Sequence, residues 1–320
     1  DTLTAVVPSY RGDCTEMPDI AEEVARVYGY ENIPSTRPAA PISKGEAGFH
    51  HDVGEKISSI LSSSGLNETV TFSFMHPDQL KKLLFKDGDA VYNAVPILNP
   101  ITEDFPLMRT TLVPTLMDVL VRNQAVKNPS VGIYEIAPVY RPKQLPLTEL
   151  PEQEFYVSGL LYGQRTPAEW PAKAENYDFY DVKGLVEAVL QGLGIQADLE
   201  VSDWAPLHPG KAARYVKDGK VLCDFGELHP KAIDNYDVAG PVYVFEMHMD
   251  AILPLVNLLP DYHKVAKFPA SSRDLAFLAP LVTANADIVS VIKEDGGDNL
   301  EAVHLFDMYT GKQVPQGYKS

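Results

Sequence analysis

The stretch VGIYEIAPVY, residues 131–140, constrains this chain more than any other. Side chains alternate across a strand, and here both alternating sets carry Val, Ile or Tyr. Such a strand is buried on both faces, between layers packed on a sheet. The preceding residues supply one covering helix. After the turn-prone pair Asn99-Pro100, Leu112, Leu116, Val119 and Leu120 recur at i, i+4, i+7 and i+8. Pro114 fits the first turn of that helix, where a missing N–H costs little. Asn128-Pro129 then breaks helix from strand.

A chain of 320 residues exceeds one ordinary domain and suits roughly two to three. With 45% apolar and 22% charged residues it has ample material for a core. No apolar run approaches the roughly 20 residues that span a bilayer, so a membrane role is not expected. Cys14 and Cys223 lack metal-type spacing and point to a reducing, cytoplasmic setting. A net charge of −17 argues against gripping nucleic acid by bulk electrostatics. His208 and His229 each precede Pro, and their spacing suits turns better than a metal site. Neither a Walker nor a dinucleotide glycine loop is present, and no nucleophile motif stands out, so no catalytic residue is assigned. The start inside TLTAVVPSY, read as a strand, and the end in a hairpin-like GKQVPQGYKS read as the cut ends of a longer protein.

Periodicity orders the rest. A helix opening at Pro18 is expected, with Ile20, Val24, Val27 and Tyr28 on one stripe and Asp19, Glu22 and Glu23 on the other, stopping at Gly29. A Pro- and Gly-containing linker covers about 35–48. Phe49, Val53, Ile57, Ile60 and Leu61 make a second amphipathic helix. ETVTFSF reads as a half-buried strand, with Val70, Phe72 and Phe74 alternating against Thr69, Thr71 and Ser73. FYVSGLLYG is a central-type strand, and Val182, Leu185, Val186, Val189, Leu190 and Leu193 stripe a helix closed by Gly194. A hairpin turns at Asp218-Gly219. GPVYVFEMHMDAILPL is strand then helix. KFPASSRDLAFLA, a helix capped by Thr283 with Ile288, Val291 and Ile292 inward, and LEAVHLFDMYTG give strand–helix–strand, half of a ferredoxin-like unit.

Several segments carry a resemblance. Leu-Met-Arg-Thr at 107–110, the helix after it, Tyr-Glu-Ile at 134–136 and Val-Tyr-Arg at 139–141 resemble a class II aminoacyl-tRNA synthetase signature. VPSYRGD with EEVARVYGYENIP, DFYDVKG, and FPASSRDLAF with LFDMYTGKQVPQG resemble the bacterial-type phenylalanyl-tRNA synthetase beta subunit family. The resemblance implies an α+β fold: a class II-like antiparallel sheet with flanking helices, then half of a ferredoxin-like anticodon-binding domain. The expected domains are 1–38, a B5-like tail; 39–260, an inactive class II-like domain; and 261–320, the truncated anticodon-binding domain.

The resemblance also assigns roles. Catalytic class II members close their signature with Arg-x-Glu, where Arg holds the ATP phosphate. Here Arg141-Pro142-Lys143 stands in its place, so the pair is broken. Their third motif brings glycines and an Arg to the nucleotide; here Glu246 and His248 replace the glycines and Ala251 the Arg. The expectation is a non-catalytic subunit that binds no ATP itself. It would support an alpha subunit, in an α2β2 assembly, that uses ATP to join phenylalanine to its tRNA. On the residues alone, the acids of the first helix are a solvated helix start or a magnesium site. The resemblance implies the second, with Asp13, Asp19, Glu22 and Glu23 binding Mg²⁺ at the alpha-subunit boundary. The rivals are an active adenylate-forming ligase and an interaction scaffold unrelated to translation.

Overall fold

The computed structural model describes residues 3–259 and 262–320, apart from residues 38, 41–44, 46, 167, 168, 172, 263 and 266. Two units are distinguishable, residues 1–260 and 261–320.

In the first unit, helix α1 covers Met17–Tyr28 and α2 covers Phe49–Ser63. Short strands β1 (Asn67–Glu68) and β2 (Phe74–Met75) precede α3 (Pro77–Lys82). Strand β3 (Leu107–Met108) leads into α4 (Val113–Ala125) and β4 (Ser130–Arg141). Then come β5 (Glu152–Thr166), β6 (Glu175–Asn176) and α5 (Phe179–Gly192). Strands β7 (Asp198–Val201), β8 (Leu207–Lys217) and β9 (Lys220–Leu228) follow. The unit closes with α6 (Pro230–Asn235), β10 (Val242–His248) and α7 (Met249–Ile252).

These strands build an eight-stranded sheet in the order β1-β4-β5-β10-β9-β8-β7, with β6 paired to β5. Only β1–β4 is parallel among the described pairs; the rest are antiparallel. Strand β4 is covered on both sides, as its composition requires. On one face Tyr134 lies under α2 and α5, with Val53, Ile57, Leu61, Val182, Val186, Val157 and Phe245. On the other, Val131 and Ile133 meet Val113, Leu116, Met117 and Leu120 of α4. Tyr134 also bonds α2 directly, its hydroxyl 2.8 Å from Ser58 Oγ and 2.9 Å from Ser62 Oγ. Gly159 sits opposite Phe245, and a Cβ there would lie 2.3 Å from the ring. At the β8–β9 turn, Asp218 and Gly219 both take positive φ, 51° and 75°, which matches the right-handed twist of the two strands.

Two expected strands are corrected. Residues 3–10 form no strand, and 68–74 is not a half-buried one. Only its ends pair, as β1 and β2, and the alternation is inverted: Val70 and Phe72 face solvent while Thr71 faces inward. The cause is a buried carboxylate that takes Thr71 as a partner, described below.

The second unit carries β11 (Ala279–Pro280), α8 (Asn285–Gly296) and β12 (Tyr318–Lys319), with β11 antiparallel to β12. The expected strands over 267–278 and 300–311 are not hydrogen-bonded ladders. Ala284, not Thr283, stands at the N-cap of α8, with no side-chain cap, and Val291 is exposed, not inward. Phe277, Leu278, Leu305 and Phe306 are exposed, so the apolar side chains of these segments are not covered by the described residues of this unit. No helix among the described residues is long and apolar enough to cross a membrane.

Candidate functional site

The face of the sheet under α4 changes character along its strands. Near the start of β4 it is apolar: Ile133, Leu160 and Val244 lie side by side on β4, β5 and β10. One step along, register aligns Glu135 with Ser158, Ser158 with Glu246, Glu246 with Asp224 and Asp224 with Arg214. A polar row thus crosses the sheet beneath the start of α4. Next to it stand Tyr156 and His248, rings 4.6 Å apart, with Arg141 and Glu154 beyond.

Glu246 is the centre of this row. Its carboxylate is 4% exposed. Thr111 Oγ1 lies 2.7 Å from its Oε2, and the Leu112 N–H donates to the same oxygen at 2.9 Å. The side chain therefore fills the space next to the first turn of α4 and ties β10 to it. Burial pushes its carboxyl up to about 7, against the Thr111 and Leu112 donors and Arg141, with Asp224 adding repulsion. Burial also raises the Asp224 carboxyl above its ordinary value and lowers the His248 imidazole below its own.

Arg141 is engaged as well. It donates to the Tyr156 hydroxyl at 3.1 Å, to the carbonyl oxygens of Thr110 and Ala90, and to Glu154 Oε2. Lys143 points away to an exposed pair with Glu149 at 3.1 Å. Ala251, on α7, lies against the core under α2 and α5. No cation among these residues is free to meet a phosphate in the polar row.

Sequence reasoning missed the neighbouring pair Arg109–Glu135. Arg109 is 2% exposed, and its Nη1 donates to Glu135 Oε1 at 2.9 Å and to Thr71 Oγ1 at 2.9 Å. Its Nε donates to the Pro138 carbonyl at 3.0 Å. Thr71 Oγ1 in turn donates to Glu135 Oε2 at 2.7 Å. The signal was a Glu inside an otherwise apolar strand, since a buried acid needs a paired cation and donors.

The four acids of the amino-terminal segment are disposed differently from a cation cage. Arg11 Nη2 lies 2.8 Å from Asp13 Oδ2 and 2.6 Å from Glu23 Oε1, and Arg26 holds the other Glu23 oxygen at 2.7 Å. Arg11 pulls Asp13 down to about 2, and Arg11 with Arg26 does the same to Glu23. Asp19 Oδ2 accepts the backbone N–H groups of Glu16 and Thr15, each at 2.8 Å, which lowers its pKa and caps the start of α1. Glu22 is exposed. So arranged, the acids do not fit a divalent cation: a guanidinium already stands between Asp13 and Glu23. No three metal-ligating side chains converge among the described residues.

The His-Pro pairs stand at the ends of elements, His208 near the start of β8 and His229 just before α6. His208 Nδ1 accepts from the Gly210 N–H at 2.9 Å, and His229 Nδ1 from the Lys231 N–H at 3.1 Å, where it caps α6.

Family models match the chain in three places. One described as the phenylalanyl tRNA synthetase beta chain CLM domain covers residues 33–249. A ferredoxin-fold anticodon binding domain covers 266–320, and a tRNA synthetase B5 domain covers 1–30. The chain is 34% identical over 322 residues to a phenylalanine--tRNA ligase beta subunit of Clostridium tetani, and 36% to that of Clostridium acetobutylicum. In both cases the match takes in 100% of this chain but 39% of the relative's length. Among solved structures, a pyrrolysyl-tRNA synthetase from Desulfitobacterium hafniense matches at a TM-score of 0.49 and 16% identity, over 74% of this chain and 75% of that one.

Proposed function

The chain belongs to the phenylalanyl-tRNA synthetase beta chain family, and on that footing we propose that it is a non-catalytic part of a phenylalanine–tRNA ligase. The ligase joins phenylalanine to its tRNA with ATP, in the cytoplasm. The chemistry belongs to an alpha subunit, in an assembly of two alpha and two beta chains. The first unit pairs with that subunit, and the second, through its anticodon-binding fold, helps to seat the tRNA.

One observation carries the non-catalytic reading. The side chain of Glu246 occupies the place next to α4 where a nucleotide would need room, and it brings an acid there instead of a cation. Arg141, which corresponds to the phosphate-holding Arg of catalytic class II members, is bound to Tyr156, Glu154 and two backbone carbonyls. A phosphate would have to displace all of these partners.

Isothermal titration of the chain with ATP and Mg²⁺ tests this reading. The expected result is no stoichiometric binding to the chain alone, and phenylalanyl-adenylate formation only once the alpha subunit is added. Adenylate made by this chain by itself would overturn it.

A further inference from the structure

The large sheet of the first unit ends at β7, and no strand among the described residues pairs with the outer side of β7. All four of its residues are exposed. In an antiparallel pair, residues bonded to the neighbouring strand alternate with residues whose N–H and C=O point away from it. The Ser202 N–H donates to the Ala212 carbonyl at 3.5 Å, and the register sets Glu200 opposite Arg214 and Asp198 opposite Val216. Counting back by twos, Asp198 and Glu200 bond β8, while Leu199 and Val201 turn their backbone groups to the open edge. Such an edge is a template for one more strand.

The two faces of this edge select its occupant. Leu199 lies opposite Tyr215 and Val201 opposite Ala213, so both side chains stand on the face that packs under α5. Leu199 is still 47% exposed and Val201 75%. Beside them, between the end of α5 and the β7–β8 pair, lies a groove of about 520 Å³ lined by Leu190, Gln191, Ile195, Ala197 and Tyr215. Glu187 stands at the same groove and accepts from the Tyr215 hydroxyl at 2.7 Å. The other face is acidic. Asp198 and Glu200 share it with Arg214, which donates to Glu200 Oε2 at 3.4 Å and to Asp203 Oδ1 at 2.9 Å. Residues 187–203 contain Glu187, Asp198, Glu200 and Asp203 and not one Lys or Arg. A second copy pairing β7 with β7 would bring Asp198 and Glu200 against each other, and like charges across strands are destabilising. The same acids attract a basic strand. We propose that β7 accepts one added strand from a different polypeptide, an extended segment in which apolar side chains alternate with Lys or Arg. Its backbone pairs with Leu199 and Val201, its apolar side chains continue their row over the groove, and its cations meet Asp198 and Glu200 on the opposite face.

The probe is a blocked heptapeptide of alternating Lys and Val, titrated into the 320-residue chain and followed by the amide resonances of β7. Saturable shifts should centre on Leu199 and Val201, with hydrogen exchange at both amides slowed about tenfold at saturation. A peptide of the same composition with its Val residues consecutive should bind about tenfold more weakly, and so should one alternating Glu and Val. Val201→Pro removes an outward N–H, the one place in a ladder where Pro is tolerated, and should weaken the Lys and Val peptide about tenfold. Asp198→Lys changes only an exposed side chain and should weaken it about fivefold at low salt, with the gap closing as salt is raised. Resonances of β7 that do not move, equal binding of the three peptides, or unchanged binding by both variants would each overturn the assignment. Self-association of the unaltered chain in sedimentation, abolished by Val201→Pro, would give the edge to a second copy and overturn it as well.

Discussion

Replacing Glu246 with Gln gives the most direct reading of the polar row. The carboxyl moves from an ordinary 4.5 to about 7 on folding. A tenfold gain in proton affinity is worth about 1.4 kcal/mol, so the folded state favours the protonated acid over the ionised one by about 3 kcal/mol. The sign follows from the direction. A carboxyl whose pKa is raised on folding binds its proton more tightly in the folded chain. Its contribution is whole below about pH 4.5 and is lost as pH rises through about 7. Between about pH 6 and about pH 8 the loss is about 1.3 kcal/mol. Gln keeps the shape, can accept from Leu112 N–H and Thr111 Oγ1, and does not titrate. The stability of Glu246→Gln relative to the unaltered chain should therefore rise by about 1.3 kcal/mol over that interval. Asp224, Arg141, Tyr156 and His248 surround the site in both proteins, so their titration largely cancels in the difference. Urea unfolding followed by the fluorescence of Trp204, packed on Phe85, gives the two curves. A difference that stays flat from about pH 6 to about pH 8 would refute a proton held at Glu246.

Other outcomes follow from single contacts. Arg109→Met should cost about 3–5 kcal/mol in urea unfolding by leaving Glu135 buried and unpaired, and Arg109→Met/Glu135→Leu should recover part of that loss. Gly159→Ala forces a methyl against the Phe245 ring and should destabilise by about 1–3 kcal/mol, seen as a lower urea midpoint. Asp178→Ala removes the acceptor for the Tyr180 and Asp181 N–H groups at the start of α5 and should cost about 1 kcal/mol, read from the same urea midpoint. Millimolar Mg²⁺ should leave the melting of the chain unchanged, because Arg11 holds Asp13 and Glu23; a Mg²⁺-dependent rise in Tm would show those acids open to a cation.

Much of the scaffold was legible because periodicity reports burial directly. The stripe of Val182, Val186, Val189 and Leu190 defined α5, Asp218-Gly219 defined a hairpin, and the doubly apolar run at 131–140 demanded cover on both faces. The residue types at Lys143, Glu246, His248 and Ala251 were legible too, and the expectation drawn from them, that no phosphate is gripped there, is carried into the function proposed above. Tertiary structure alone decided where the remaining polar groups went. Alternation at 68–74 said which residues share a side but not which side is wet; a buried carboxylate from β4, far along the chain, drew Thr71 inward and turned Val70 and Phe72 out. The acids at 13–23 carried the composition of a cation site, yet Arg11 is placed among them by the path of the backbone, which no spacing encodes. Glu246 likewise meets Thr111 only because the sheet lays β10 beneath the start of α4. Local pattern fixes which surface must be hidden; the partner of a hidden charge comes from elsewhere in the chain, and only the folded arrangement names it.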